Sequence, residues 1–230
     1  MAFWRKLGWW LVDIPVDLYA WLLTLWYIRP PAAYAKGDSR KPAVVILPGK
    51  AWGYLKPLAD RLAGAGYRIV IVPAIGRNTR PVKKTAERIA SYLAERQLQP
   101  VAFLGHSKGG LVGKYLLAHP EMAPAASGVI AIGTPWSGAK LAALMPIEQY
   151  RELLPGSILL QELDAMEEVN RRIVSIAPSF DNLVSQASMY LPGARNIRLK
   201  IGGHHAVLYS KKCAAAVLEA LSQIENKNPT

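Results

Sequence analysis

A serine, a late pair of histidines and one isolated aspartate are the residues of this 230-residue chain best suited to joint chemistry on a carbonyl carbon. The serine lies in Gly105-His106-Ser107-Lys108-Gly109-Gly110, directly after the apolar run Val101-Ala102-Phe103-Leu104 and before a helical pattern. This is the strand–turn–helix setting of a G-x-S-x-G bend. The sharp turn strains the serine backbone and lifts its hydroxyl to a helix N-terminus, where developing negative charge is favoured. A side chain at Gly105 or Gly109 would collide with neighbouring elements. Ser107 is therefore expected to be a nucleophile, provided that a base takes its proton.

Four histidines are candidates for that base. His106 lies within the bend and is expected to point away from the serine hydroxyl. His119, just before Pro120, suits a helix C-terminus. His204 and His205 follow an apolar run, Ile197 to Ile201, through Gly202-Gly203, and either could serve. The orienting carboxylate is expected from the loop after the preceding strand. There, Asp181 is the only acid between Glu168 and Glu219. An aspartate in this place would hold the imidazole tautomer while the ring shuttles the proton. A tetrahedral intermediate also needs two backbone N–H donors. These are expected from Lys108, through its amide and not its ammonium, and from Lys50 in the turn Leu47-Pro48-Gly49-Lys50. Trp52, Tyr54 and Trp136, with Arg77 to Arg80, are candidates to line a substrate pocket.

These residues need a scaffold that brings strand ends together. Short β-branched runs at Val44–Leu47, Arg68–Val72, Val101–Leu104, Gly128–Ile132, Arg172–Ile176 and Ile197–Ile201 alternate with helical patterns. Helices are predicted at Gly53–Ala65, Val82–Arg96, Lys108–Ala118 and Lys211–Gln223, where apolar residues recur at three and four. Strands without strict alternation, separated by helices, predict a mostly parallel, doubly wound α/β sheet of about six strands with helices on both faces. Such sheets carry their sites at the C-terminal strand ends. The domain so defined runs over residues 43–226, after an N-terminal apolar helix (1–30) and a Pro-containing linker (31–42).

The motifs resemble those of the α/β-hydrolase superfamily, in particular its small bacterial triacylglycerol lipases and esterases. The resemblance extends from Val44 to Leu221. Ile132-Gly133-Thr134-Pro135-Trp136-Ser137-Gly138 is similar to that family's Gly-Thr-Pro-aromatic/His-x-Gly turn. Leu191-Pro192-Gly193-Ala194-Arg195-Asn196, running on to Gly203-His204 and Leu208-Tyr209-Ser210, is similar to its histidine region and implies His204 as the base. A departure is Pro48, where the family usually has histidine before the oxyanion glycine. The resemblance implies the α/β-hydrolase fold and cleavage of small-molecule or lipid carboxylic esters through an acyl-enzyme. Two other readings keep the fold: an acyltransferase using the same three residues, or a membrane-bound binding protein without catalysis.

The N-terminal segment is of another kind. Five of the seven tryptophans (Trp4, Trp9, Trp10, Trp21 and Trp26) fall within it, and Leu7 to Ile28 is nearly all apolar. As a helix it would be about 30 Å long, close to a bilayer core. Asp13 and Asp17, one turn apart about Pro15, offset the apolar gain of insertion. The expected state is an uncleaved, membrane-associated helix, residues 4–28, either spanning with the aspartates against a partner or lying in the interface with Asp13 and Asp17 toward water, and so a protein of the bacterial inner membrane. A cytoplasmic protein, or one exported after cleavage near Ala35, is the alternative. The formal charge of +12 is spread along the chain without a nucleic-acid-binding motif, so no nucleic-acid partner is expected. The single cysteine, Cys213, excludes an internal disulfide and a cysteine-based metal cluster. No metal or organic cofactor is implied, and oligomeric state is not encoded in any pattern.

Overall fold

The computed structural model describes residues 3–144 and 148–227; the side chains at 3–13, 144, 148, 149 and 227 lie outside the description. The expectations placed on Trp4, Trp9, Trp10 and Asp13 fall there. The chain opens with helix α1 (Phe3–Trp26) and a single 3₁₀ turn (Ala32–Ala35). Then follow β1 (Ala43–Leu47), a 3₁₀ turn (Trp52–Leu55), α2 (Lys56–Gly64), β2 (Ile69–Ile71), α3 (Val82–Glu95), β3 (Val101–His106), α4 (Lys108–Ala118) and β4 (Ala126–Ile132). After 3₁₀ turns come α5 (Ile158–Asp164), β5 (Ile173–Phe180), β6 (Arg195–Gly202), α6 (Ala206–Tyr209) and α7 (Lys211–Lys227).

The six strands form one sheet in the order β2-β1-β3-β4-β5-β6, and every pairing is parallel. Alternate residues of each strand enter two separate cores. Val44, Ile46, Ala102, Leu104, Ile130 and Ile132 pack with α2 and α7, through residues such as Leu58, Leu62, Val217 and Leu221. Val45, Leu47, Phe103, Val129 and Ala131 pack with α3, α4 and α5, through Ile89, Leu111, Leu116 and Leu160. Burial on both faces is why these strands read as unbroken apolar runs. At the β6 edge polarity alternates: Ile197, Leu199 and Ile201 lean on the core while Arg198 and Lys200 are exposed. Basic side chains on an edge strand also discourage unwanted strand pairing.

Most strand and helix ends shift by a few residues from the sequence reading, and two shifts have a clear physical reason. The helix expected over Gly53–Ala65 is a 3₁₀ turn followed by α2, and Pro57 sits in the first turn of α2, where its missing N–H costs nothing. Strand β5 runs on past Ile176 to Phe180 because β6 continues beside it, with Pro178 opposite Leu199 and Phe180 opposite Gly202. The segment 31–42 is tied down through Tyr34, which is buried, meets Trp52 edge-to-face and donates to Asp60 Oδ1 at 2.7 Å.

Candidate active site

Ser107 ends the register of β3 and begins α4 with φ 54° and ψ −125°, in the region that side chains avoid. Surroundings enforce it. The Ser107 N–H donates to Ile132 at 2.9 Å, and Thr134 Oγ1 donates to the Ser107 carbonyl at 3.0 Å. The turn closes only on glycine. A Cβ at Gly105 would stand 2.5 Å from the Gly110 nitrogen, and one at Gly109 would stand 1.8 Å from the Leu47 carbonyl oxygen. Strain of this kind costs about 1–3 kcal/mol and persists only where packing over-determines it.

Asp181 and His204 are 23 residues apart, yet the His204 Nδ1 to Asp181 Oδ2 distance is 2.7 Å. The sheet explains this. Phe180 of β5 and Gly202 of β6 are register partners, and the Gly203 N–H donates to the Phe180 carbonyl at 2.8 Å. The residues just beyond those strand ends must therefore meet. The Asp181 side chain is fully enclosed, and its Oδ1 accepts the N–H groups of Leu183 and Val184, each at 2.8 Å. Burial alone would raise the Asp181 pKa. The charge and hydrogen bond of His204, with the two amides, outweigh it and hold the carboxyl below its usual range. Gly133, just after β4, lies under this pair: a Cβ there would be 3.4 Å from His204 Cε1.

His106 occupies the space between the bend and the histidine loop. Its Nδ1 is 3.0 Å from Tyr54 Oη and its Nε2 is 3.2 Å from the His204 carbonyl oxygen. Tyr54 Oη in turn accepts the Gly49 N–H at 2.8 Å. Since Nε2 faces a carbonyl, it must donate, so Nδ1 accepts from the tyrosine hydroxyl. Burial first, then the neighbouring His204 and His205, push the His106 pKa well below its ordinary value, which keeps this ring neutral. A continuous relay thus joins Gly49, Tyr54, His106 and the His204 backbone. Burial raises the Tyr54 pKa, while the amides of Gly49 and Lys50 pull against it. The Gly49 amide is thus engaged by this hydroxyl, next to the Lys50 amide expected as an oxyanion donor. Gly49 itself abuts the serine, as its missing Cβ would sit 3.1 Å from Ser107 Cβ.

The second expected donor, Lys108, is the first residue of α4, where an amide has no intrahelical partner. Its side chain, invisible to the sequence reading as a structural group, is buried. Its Nζ lies 3.0 Å from Glu152 Oε1 and also donates to the Arg80 carbonyl. Burial depresses the Lys108 pKa against the opposing pull of Glu152. The same carboxylate receives the N–H of Val82 at 3.1 Å, so this ion pair ties α4 to the start of α3.

Three expectations need correction. Trp52 does not line a pocket at the serine: it is buried and donates its indole N–H to the Ile28 carbonyl at 3.1 Å, beneath the N-terminal helix. Trp136 is likewise core, with its N–H on Ser175 Oγ at 2.9 Å. Both indoles found internal partners, as buried tryptophans usually do. Tyr54 is near the serine but lies enclosed behind Gly49, a support and not a lining residue. His119 caps α4, its Nδ1 2.8 Å from the Tyr115 carbonyl oxygen. His205 turns away from Asp181 and meets Asp17 of α1, Nδ1 to Oδ1 2.7 Å. Asp17 thus meets the protein through His205 while its side chain stays 41% exposed.

A parallel sheet in this order, with a strained serine between β3 and α4 and a carboxylate–imidazole pair after β5 and β6, is the α/β-hydrolase fold. No protein-family model matches the sequence, and no curated protein sequence matches it. Solved structures do. The mature lipase BlEst2 of Bacillus licheniformis superposes with a TM-score of 0.68 at 17% identity, over 84% of this chain and 96% of that one. Lipase B of Aspergillus fumigatus gives 0.71 at 23% identity, over 84% of this chain and 55% of that one. The haloalkane dehalogenase DbeA of Bradyrhizobium elkani USDA94 gives 0.62 at 13% identity, over 84% and 94%. At these identities the likeness is one of fold.

Proposed function

We propose that this protein is a serine hydrolase that cleaves carboxylic esters through an acyl-enzyme on Ser107. The observation that carries the reading is the enclosed Asp181–His204 pair at 2.7 Å, held at the strand ends that border the strained serine. Asp181 keeps the proton on Nδ1 and leaves Nε2 as the base. In the first half-reaction His204 Nε2 takes the Ser107 proton as Oγ attacks the ester carbonyl carbon. The carbonyl electron pair moves onto oxygen, where the Lys108 amide donates. The Lys50 amide is the second donor. Collapse expels the alcohol, which leaves with the proton from His204. Water then repeats the sequence on the acyl-enzyme and releases the acid.

A serine hydroxyl with a neutral imidazole base favours carbonyl carbon over other electrophiles, and two of the three structural neighbours named above are called lipases. The test is turnover of p-nitrophenyl esters of graded acyl length, together with labelling by a fluorophosphonate probe. Ser107→Ala is expected to abolish labelling and to lower kcat by about 10⁴-fold or more. A folded protein that neither labels nor releases p-nitrophenol would sink the proposal. Adding a competing alcohol tells hydrolysis from acyl transfer, and free acid is expected to remain the main product.

A further inference from the structure

Helix α1 is amphipathic in the opposite sense to an ordinary surface helix. Its inward face presents Asp17, Ala20, Thr24 and then Tyr27 to the domain, and Ala20 is buried. Its outward face carries Ile14, Leu18, Trp21, Leu22, Leu25 and Trp26, exposed by between 47% and 83%, with no charged residue among them. Ile28, just past the helix, is exposed as well. A soluble monomer rarely leaves so continuous an apolar strip in water.

The helix is also clamped, so rotation cannot bury that strip. A Cβ at Gly53 would lie 2.5 Å from the Leu23 carbonyl oxygen, which shows how closely α1 lies on the 52–55 turn. Trp52 holds the Ile28 carbonyl, Lys56 Nζ sits 4.8 Å from the centre of the Tyr27 ring, and Asp17 holds His205. Among the described residues no helix is long and apolar enough to cross a membrane. Exposed and clamped, the strip suits a surface, and its chemistry narrows which one. Two tryptophans within an aliphatic strip, with Tyr19 beside them 48% exposed, are residues favoured at a lipid interface. Arg29, three residues past the helix, is exposed, and the chain as a whole carries a net charge of +12.

We propose that the outward face of α1 seats on the surface of an anionic lipid bilayer, with the domain attached through the inward face. Apolar side chains enter the headgroup–acyl boundary, while Arg29 and the positive charge of the chain supply a salt-sensitive attraction. Through Asp17 and His205, the seated helix lies one residue away from His204.

The test is sedimentation of the full chain with vesicles of phosphatidylglycerol and phosphatidylethanolamine, against vesicles of phosphatidylcholine. The wild type is expected to bind the anionic vesicles, more weakly at high salt, with a blue shift of tryptophan emission. The double variant Trp21→Glu, Leu25→Glu is expected to bind at least tenfold more weakly, with unchanged melting temperature and unchanged turnover of a water-soluble ester. Ser107→Ala is expected to bind like the wild type, so binding and hydrolysis succeed or fail separately. The proposal is overturned if the wild type stays in the supernatant, or if the double variant sediments as well as the wild type. It is equally overturned if the wild type is a dimer that ignores vesicles and the double variant a monomer, since the strip would then belong to a second copy of the chain.

Discussion

Two adjacent histidines each hold an aspartate at 2.7 Å, yet the two pairs differ in almost every other respect. In Asp181–His204 the side chains are 0% and 3% exposed, and two amides fix the carboxylate. In Asp17–His205 they are 41% and 23% exposed, and the carboxylate comes from a helix laid on the domain from outside. Burial holds the His205 pKa below its ordinary value despite Asp17, so this contact is a hydrogen bond from a neutral ring and not an ion pair at neutral pH. Distance alone therefore does not confer a role. In the proposed mechanism the enclosed carboxylate braced by amides orients its ring for proton transfer, whereas the half-exposed one only latches its ring.

That contrast can be broken most sharply through activity. Asp181→Asn is expected to lower kcat on a soluble ester by about 10⁴-fold, because the ring loses its tautomer. Asp17→Asn is expected to change it by less than about tenfold, since it lies outside the proton path. Comparable losses, measured side by side by p-nitrophenol release, would show that the two pairs act as one unit.

The relay that links Gly49 to the His204 backbone sharpens the contrast from beneath. Tyr54→Phe leaves the Gly49 amide and His106 Nδ1 without their partner inside the protein. Loss of about 1–3 kcal/mol in stability is expected, read from denaturant melts. A fall in kcat with little change in KM would mark the loosening of the loop beside Ser107; an unaltered kcat would show that the loop holds its position without the tyrosine.

The smallest effect concerns pH. His106 and His205 both have folded-state pKa values below the ordinary histidine value of 6.5. Below that pH the unfolded chain binds protons that the folded chain refuses. Stability is thus fully present above pH 6.5 and falls on acidification, by up to about 1.4 kcal/mol per pH unit for each ring that stays neutral. The fall continues until pH reaches the folded pKa of each ring. His205→Asn should flatten the slope by the share of one ring. An identical slope in melts between pH 6.5 and pH 5 would mean that His205 titrates alike in both states.

Much of the scaffold was legible in the sequence because burial leaves a local mark. The β3 run and its serine bend were readable from Val101 to Gly110, and α4 spans Lys108–Ala118 as its apolar spacing predicts. Asp181 could be singled out because no other acid competes in that stretch, and Ser107 because its glycines sit at the required places. The apolar run that marked β5 stops at Ile176, whereas pairing with β6 carries the strand on through Pro178 to Phe180. Choosing between His204 and His205 from residue types alone was impossible, and the resemblance pointed to the one that Asp181 holds. The two indoles offered as pocket residues were opaque for another reason: the atoms that receive their N–H groups, at Ile28 and Ser175, lie 24 and 39 residues away.

What the chain alone determined is the set of local conformations: apolar strands, their capping helices, and a turn that only glycine permits on either side of Ser107. These follow from sterics and hydrophobic periodicity within a few residues. What only the tertiary structure decided is pairing at a distance. The register of β5 against β6 brings Asp181 to His204, and the docking of α1 brings Asp17 to His205 with its apolar side turned outward. Local sequence carries no record of such partners, because a hydrogen bond between distant residues depends on where whole elements come to rest.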